Sequence, residues 1–382
     1  MNELKKNINL RILHSAILTY PSIGIVNQME WEAEAAFSLN INWYTLLYCP
    51  RDLNIEGHEF IKKSRTNLFN IRSKWRYLFN WFKFKFEYYV ELKKNEKKID
   101  LFILRYSILD PFQFLFLIFV KKPVFFLHHT LEIEELKIGR SNIFNLKVLC
   151  ESIFFSFNTL LSNGIVAVTN EILRYEKRRL LFLNNIKFYF LYPNGIKFDY
   201  NNQVFKYNQR KSVINIMFIA GYFHTWHGLD LVVSNCKLSD LEFKLHIVGD
   251  IDKGIKDLIL NDPRFIYHGK LNKAEIKLLS LSCDLGLSSF ALFRKSMTEA
   301  CTLKTREYLS LGLPVYSGHS DVFPDNFQFY KIGYPKIKDI LDYGNEMRKF
   351  SKFDIIEKSK SFIDKKILLS KFYSDLVENY RY

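Results

Sequence analysis

The sequence predicts an α/β protein of two doubly wound halves, each a parallel sheet flanked by helices. Three observations carry this expectation. Short apolar runs recur without polar alternation, the pattern of strands covered on both faces. Segments of helical period separate them. The rhythm stops at a polar stretch near the middle of the 382 residues and then restarts, and a chain of that length divides naturally into two domains.

Taken in order, residues 10–20 form a β-rich run that ends in the turn Pro21-Ser22-Ile23-Gly24. Residues 27–39 have helical period, and 43–49 form a second strand. A short apolar strand spans 100–105, a helix 112–120 and a strand 123–127; residues 164–169 close the half. From Leu191-Tyr192-Pro193-Asn194-Gly195 to residue 210 the chain reads as a linker, because Pro and Gly break the pattern and polar residues follow. Beyond it come strands at 214–220, 243–248, 264–268, 285–288 and 314–317, with helices from 229 and over 272–282. Residues 337–382 are mostly helical, and no internal repeat accompanies this rhythm.

Hydrophobic residues make up 48% and charged residues 25% of the chain, a globular composition that excludes an intrinsically disordered protein. The apolar stretch 111–120 stops at Lys121-Lys122, well short of the ~20 residues that a membrane-spanning helix needs. The polar start, residues 1–7, carries no signal-peptide pattern. Five cysteines (Cys49, Cys150, Cys236, Cys283 and Cys301) show no CxxC spacing, so reduced thiols in a cytoplasmic protein are expected. The net charge of +15 favours a polyanionic partner: nucleic acid, an anionic membrane surface or a phosphorylated substrate.

Much of that charge lies in residues 62–98, where twelve Lys and Arg face Glu87, Glu91 and Glu96 and alternate with aromatics such as Trp75, Phe79, Trp81 and Phe86. A helix with cationic and aromatic faces suits the headgroup layer of an anionic membrane. A core helix with a solvated Lys face is the plainer alternative, and single-stranded nucleic acid a third. The membrane reading is preferred, and no nucleic-acid partner is expected.

The most informative segment runs from Glu299 to Val315. It reads as a polar turn, a helix and a break at Gly312-Leu313-Pro314 before an apolar strand. Such a turn leaves backbone N–H groups free at a helix N-terminus, where anions are favoured. Glu307 is expected about two turns beyond Glu299 on the same element. One acid can then orient beside a reacting sugar while the other accepts from paired hydroxyls, such as those of a ribose. Alone, the pair fits equally a surface helix with two solvated acids.

Four stretches, this one included, form a pattern: Tyr192-Pro193-Asn194-Gly195-Ile196 at the linker, residues 221–230 from Gly221 to Asp230, residues 245–250 ending in Gly249-Asp250, and residues 298–308 from Thr298 to Tyr308. In that order and spacing the chain resembles GT-B-fold glycosyltransferases of the large retaining family 4 type, nucleotide-sugar-dependent enzymes that build bacterial surface polysaccharides. The resemblance runs from about residue 10 to about residue 320. It implies an acceptor-binding Rossmann-like domain over 1–192, a linker over 193–210, a nucleotide-sugar-binding Rossmann-like domain over 211–350, and a helical segment, 351–382, crossing back to the first domain. A cleft between two such domains is the natural ligand site.

Carried over by resemblance, Glu299 would lie beside the transferred sugar and Glu307 would bind the donor ribose. The backbone from Ala300 through Cys301 and Thr302 to Leu303 would hold the diphosphate. The loop from Gly221 to Gly228 would close over the phosphates, and Gly249, Gly269 and Lys270 would pack against sugar or base. His129, after the buried strand over 123–127, matches a histidine that touches the donor sugar; a capping or core histidine is its plainer reading. Gly24 permits close approach of the acceptor or is simply a turn glycine. Many relatives carry an Arg just after the first loop glycine and a Lys just before the last. Here those places hold Tyr222 and His227, so Arg294, Lys295 and Lys304 are candidates to supply the charge. Asp250 and Asp252 form a D-x-D triplet that could ligate a metal in another fold, but no metal or cofactor is expected here.

The resemblance therefore implies a sugar transferase acting on a nucleoside-diphosphate donor and a glycan acceptor, oligosaccharide or lipid-linked, in synthesis of lipopolysaccharide or capsule, with retention of configuration, at the cytoplasmic face of a membrane. A nucleotide-sugar 2-epimerase on the same architecture and a non-enzymatic polyanion-binding protein are the alternatives.

Overall fold

The computed structural model describes residues 9–55, 58–138, 144–180, 188–198 and 213–379. The fold is α/β, and the chain divides into two compact units, 1–193 with 365–382 and 194–364. The first contains β1 (Ile12–Ile17), α1 (Ile23–Leu39), β2 (Trp43–Cys49), β3 (Ile61–Lys63), α2 (Lys74–Asn95), β4 (Leu101–Arg105), α3 (Pro111–Phe119), β5 (Val124–His128), α4 (Glu132–Ile138), α5 (Phe144–Leu161), β6 (Gly164–Ala167), α6 (Asn170–Arg179) and β7 (Phe188–Leu191). The second contains β8 (Ile214–Tyr222), α7 (Leu229–Lys237), β9 (Phe243–Asp250), α8 (Lys253–Ile259), β10 (Phe265–Gly269), α9 (Lys273–Ser280), β11 (Leu285–Leu287), α10 (Leu303–Ser310), β12 (Val315–Ser317), β13 (Tyr330–Ile332), α11 (Ile337–Met347) and α12 (Lys352–Ile363). The last helix, α13 (Lys365–Asn379), belongs to the first unit.

The sheet orders are β3-β2-β1-β4-β5-β6-β7 and β10-β9-β8-β11-β12-β13. Among the described residues every strand pairing is parallel. Helices on both faces bury the strands, which is why they read as unbroken apolar runs. In each sheet the strand order reverses once, between β1 and β4 and between β8 and β11. Ligands of such folds gather beyond the strands' carboxyl ends at that reversal.

The boundaries differ from the sequence expectation. The second unit extends to Asp364, so the expected break at 350 falls between α11 and α12, and α13 alone joins the first unit. Residues 199–210 of the expected linker lie outside the described residues. The basic stretch 62–98 is not one helix: it comprises most of β3, a loop and α2.

In the second unit, Phe218, Leu245, Ile247, Leu285, Leu287, Tyr308, Leu309 and Val315 lie in one buried cluster, each contributing about 1.5–3 kcal/mol by leaving water. Gly286 sets how closely α10 approaches the sheet, because a Cβ there would stand 2.5 Å from the Tyr308 ring. The Tyr308 hydroxyl in turn accepts from the Ile219 N–H at 2.7 Å. Buried packing at Tyr308 thus holds the second turn of α10 against β11 and β8.

Candidate functional site

The strand-order reversal of the second unit gathers the expected donor residues. Gly228 starts α7 with φ +72°, and a Cβ there would meet Phe290 and Ala291 at about 3 Å. Gly249 ends β9 with φ +120°; a Cβ would lie 1.6 Å from the Ala220 carbonyl oxygen, so only glycine lets the two chains approach. Between Gly221 and Gly228 a short turn carries His227. It is held down by hydrogen bonds from the Phe290 N–H to the His227 carbonyl (2.9 Å) and from the Ala291 N–H to that of Trp226 (3.2 Å).

Glu299 and Glu307 are on different elements, contrary to the expectation. Glu299 is buried on an extended stretch bridged to Ser320, and α10 begins only at Leu303. Its N-cap, Thr302, makes no side-chain cap; the Thr302 hydroxyl instead bonds that of Thr305 at 2.8 Å. By contrast, α9 and α12 carry full capping boxes. The first amides of α10 are left for another acceptor. Cys301 is buried and fastened to Asn194: its Sγ accepts from the Asn194 N–H (3.0 Å) and its carbonyl from Asn194 Nδ2 (2.8 Å). Glu307 sits in the second turn, half-buried. Burial raises its pKa, with Lys273 and Lys304 opposing.

The cations separate clearly. Arg294 is forked onto Asp230 (2.9 and 2.7 Å) and donates to the Thr225 carbonyl. Lys270 pairs with Asp250 at 2.5 Å, Lys295 lies over the Trp226 ring at 4.8 Å, and the Tyr222 hydroxyl donates to Asp252. Gly24 is in the first turn of α1, not in a loop before it. His227 is no cation. Its Nδ1 accepts from the His224 N–H (3.0 Å), so the proton is on Nε2. Burial, then Lys304, His224 and Lys295, push its pKa down to about 2; it offers a neutral N–H.

Lys304 is different. Its Nζ is buried without a hydrogen-bond partner, 5.5 Å from the centre of the Phe218 ring. Burial brings its pKa down to about 7, with Glu307 opposing. A buried amine without a hydrogen-bond partner thus stands one residue into a helix whose N-cap makes no side-chain cap, an arrangement whose chemistry favours an anion.

Sequence reasoning missed the layer beneath. Thr305 Oγ1 is 3.3 Å from Ser288 Oγ, which lies 3.2 Å from His319 Nε2; His319 Nδ1 donates to the Ser320 carbonyl at 2.8 Å. Arg306 is fully buried and forked onto Asp321 (2.5 and 2.6 Å), and also donates to the carbonyls of Asn194 and Thr302. The one signal available was position: Ser288 and His319 each lie just past the carboxyl end of an apolar strand.

In the first unit, His129 follows β5, as expected for a residue aimed beyond a strand end. Burial, then Arg105, His14, Lys365 and His128, hold its pKa well below the usual imidazole range. His14 Nδ1 bonds buried Glu32 at 2.5 Å, which also accepts from Trp43 Nε1 (2.6 Å) and Tyr192 OH (3.0 Å), with Lys365 Nζ 3.9 Å away. His128 turns to the opposite face, stacks on Tyr106 (4.8 Å between rings) and bonds Glu132 at 2.6 Å. His128, Glu132 and Glu176 have ligand atoms within 4.8 Å of one another, a spacing that suits a metal. However, Arg179 already lies 3.1 Å from both carboxylates and 3.4 Å from Glu151. Burial and Glu132 push the pKa of Glu176 well above the usual carboxylate value.

This fold, with two parallel sheets and an open helix start at the second strand-order reversal, is that of the GT-B glycosyltransferases. Among solved structures the chain is similar to the lipopolysaccharide outer core galactosyltransferase WaaB (12% identity, 96% of this chain and 99% of that chain, TM-score 0.63). It is also similar to a glycosyltransferase from Rickettsia africae (16%, 97% and 99%, TM-score 0.62) and to HepE of Anabaena in complex with UDP (11%, 97% and 100%, TM-score 0.62). No protein-family model matches the chain, and no curated protein sequence does.

Proposed function

We propose that the protein is a glycosyltransferase that moves a sugar from a nucleoside-diphosphate donor to a hydroxyl of a glycan acceptor, lipid-linked, in cell-surface polysaccharide synthesis and with retention of configuration. The observation that carries this reading is Lys304, a buried unpaired ammonium at the uncapped start of α10. It replaces the missing Arg/Lys clamp. The leaving diphosphate gains charge in the transition state, and Lys304, the amides of α10 and the His227 Nε2–H are preorganised to receive it. Glu307 takes the ribose hydroxyls, Glu299 contacts the transferred sugar, and no protein nucleophile is invoked. HepE, of the same fold, was solved with UDP, which supports a nucleotide of this class. A thermal-shift screen of UDP-, GDP- and ADP-sugars should find one that raises the melting temperature. Glu307→Ala should weaken that donor about tenfold. A screen with no hit sinks the donor reading, and a loss below about threefold sinks the ribose assignment.

The same reading includes docking on an anionic bilayer. Trp75, Phe79, Phe82, Phe86 and Val90 form one exposed stripe of α2. Ring contacts of Phe82 and Phe86 with Phe112 and of Phe114 with Phe157 continue it over α3 to α5. There Leu146, Leu149, Ile153 and Phe157 are exposed. So broad an apolar surface beside exposed Lys74, Arg76 and Lys83 matches a headgroup layer. Lys85 does not take part: it is buried and paired with Asp110 at 2.9 Å. Among the described residues no helix is long and apolar enough to cross a membrane. Co-sedimentation with phosphatidylglycerol vesicles should fall about tenfold or more in a Lys74→Gln, Arg76→Gln, Lys83→Gln variant and in a Trp75→Ala, Phe79→Ala variant. Equal binding to neutral vesicles, or no effect of either variant, refutes docking.

A further inference from the structure

We propose that Arg105 and His129 form a binding site for an anionic group of the acceptor, a phosphate or a carboxylate, at the carboxyl ends of β4 and β5 in the first unit. The word acceptor rests on the transferase reading; the anion site stands on Arg105 itself.

Arg105 is the last residue of β4, beside β1 where the strand order reverses. In the parallel register it lies opposite Leu127, and His129 is two residues further along that neighbouring chain. Arg105 and His129 therefore leave the same face of the sheet, while Tyr106 and His128 leave the other and stack on each other. This places a guanidinium and an imidazole side by side where ligands of doubly wound sheets bind.

What singles out Arg105 is that its side chain lacks a partner although it is not exposed, unlike the solvated Arg51, Arg72, Arg76, Arg174 and Arg178. Arg11, Arg179, Arg264, Arg294, Arg306 and Arg348 each grip a carboxylate. Among the described residues, the Arg105 side chain makes no hydrogen bond and no ion pair, although it is half-buried. Glu135 and the Tyr20 phenol influence it only through space. The other cations near His129 are committed, since His14 and Lys365 both attend Glu32. An enclosed guanidinium with no counter-charge in contact is unfavourable. Its planar fork matches the two oxygens of a phosphate or carboxylate. His129, kept neutral, adds one N–H donor without competing for the anion's proton.

The test titrates the full chain calorimetrically at low ionic strength with glycerol phosphate, methyl glucuronide and neutral methyl glucoside. One acidic probe should bind, and the pair shows whether phosphate or carboxylate is preferred. Arg105→Gln should weaken it about tenfold or more, Arg105→Lys should lie between, and Lys304→Met should bind it as the unaltered chain does. Because no native partner is lost, Arg105→Gln should keep its melting temperature. The inference is overturned by unchanged affinity in Arg105→Gln, by loss in Lys304→Met instead, or by no preference for either acid over the glucoside. A collapse of Arg105→Gln stability would equally overturn it, by exposing a structural role. Should it fail while Lys304→Met still loses nucleotide, the donor reading stands.

Discussion

Replacing Lys304 by methionine is expected to raise the stability of the protein and to remove its hold on a nucleoside diphosphate. The folded-state pKa of Lys304 falls from the ordinary 10.5 to about 7, so burial penalises the charged form. At or below pH 7 folded and unfolded chains both carry the charge, and the full cost is present. Stability rises between pH 7 and 10.5, where the unfolded chain binds the proton and the folded chain does not. Methionine keeps the aliphatic stem and lifts a cost of about 4–5 kcal/mol near neutrality. The bound diphosphate, in contrast, favours the ammonium, so donor binding takes up a proton. Apparent affinity should fall about tenfold per pH unit above 7 in the native chain and be flat over that range in the variant. Calorimetric titration from pH 6 to 9, with a thermal melt of each protein, tests both halves. A variant that binds nucleotide as before, or that melts earlier, removes the central support of the proposal.

Asp321→Ala is expected to be among the most damaging single changes. It leaves the Arg306 guanidinium, fully buried, without its counter-charge, and breaking such a pair costs about 3–5 kcal/mol. The loss spreads, because Arg306 also ties the carbonyls of Thr302 and Asn194 and so holds the start of α10. Denaturant unfolding should show a lower midpoint. A joint Arg306→Met, Asp321→Leu replacement should recover most of it, since an apolar pair of similar volume removes both charges together. If Asp321→Ala unfolds at the native midpoint, the pair does not brace the helix start.

The strands of both sheets were legible because burial on both faces erases polar alternation, leaving runs such as 101–105 and 243–248. His129 beyond β5 and the glycines at 228 and 249 were legible for a related reason: turns at strand ends need particular residue types. Which cation is left without a partner was not. Arg294, Lys295 and Lys304 look alike in a sequence, and only the third dimension hands Arg294 to Asp230 and leaves Lys304 alone. The lysines of 62–98 likewise looked uniform, yet Lys85 turns inward to Asp110 because its helix position faces the core. Glu299 and Glu307 seemed to share a helix because spacing does not tell where an uncapped helix begins.

The first unit is assembled from both ends of the chain. During synthesis the second unit, a continuous stretch, can finish folding while the first still lacks α13. Until that helix leaves the ribosome, Glu32 has no Lys365 near it, and the Tyr192 ring lacks Phe372, which stacks on it at 4.4 Å. The first unit is therefore closed by a helix that is made after the whole of the second unit.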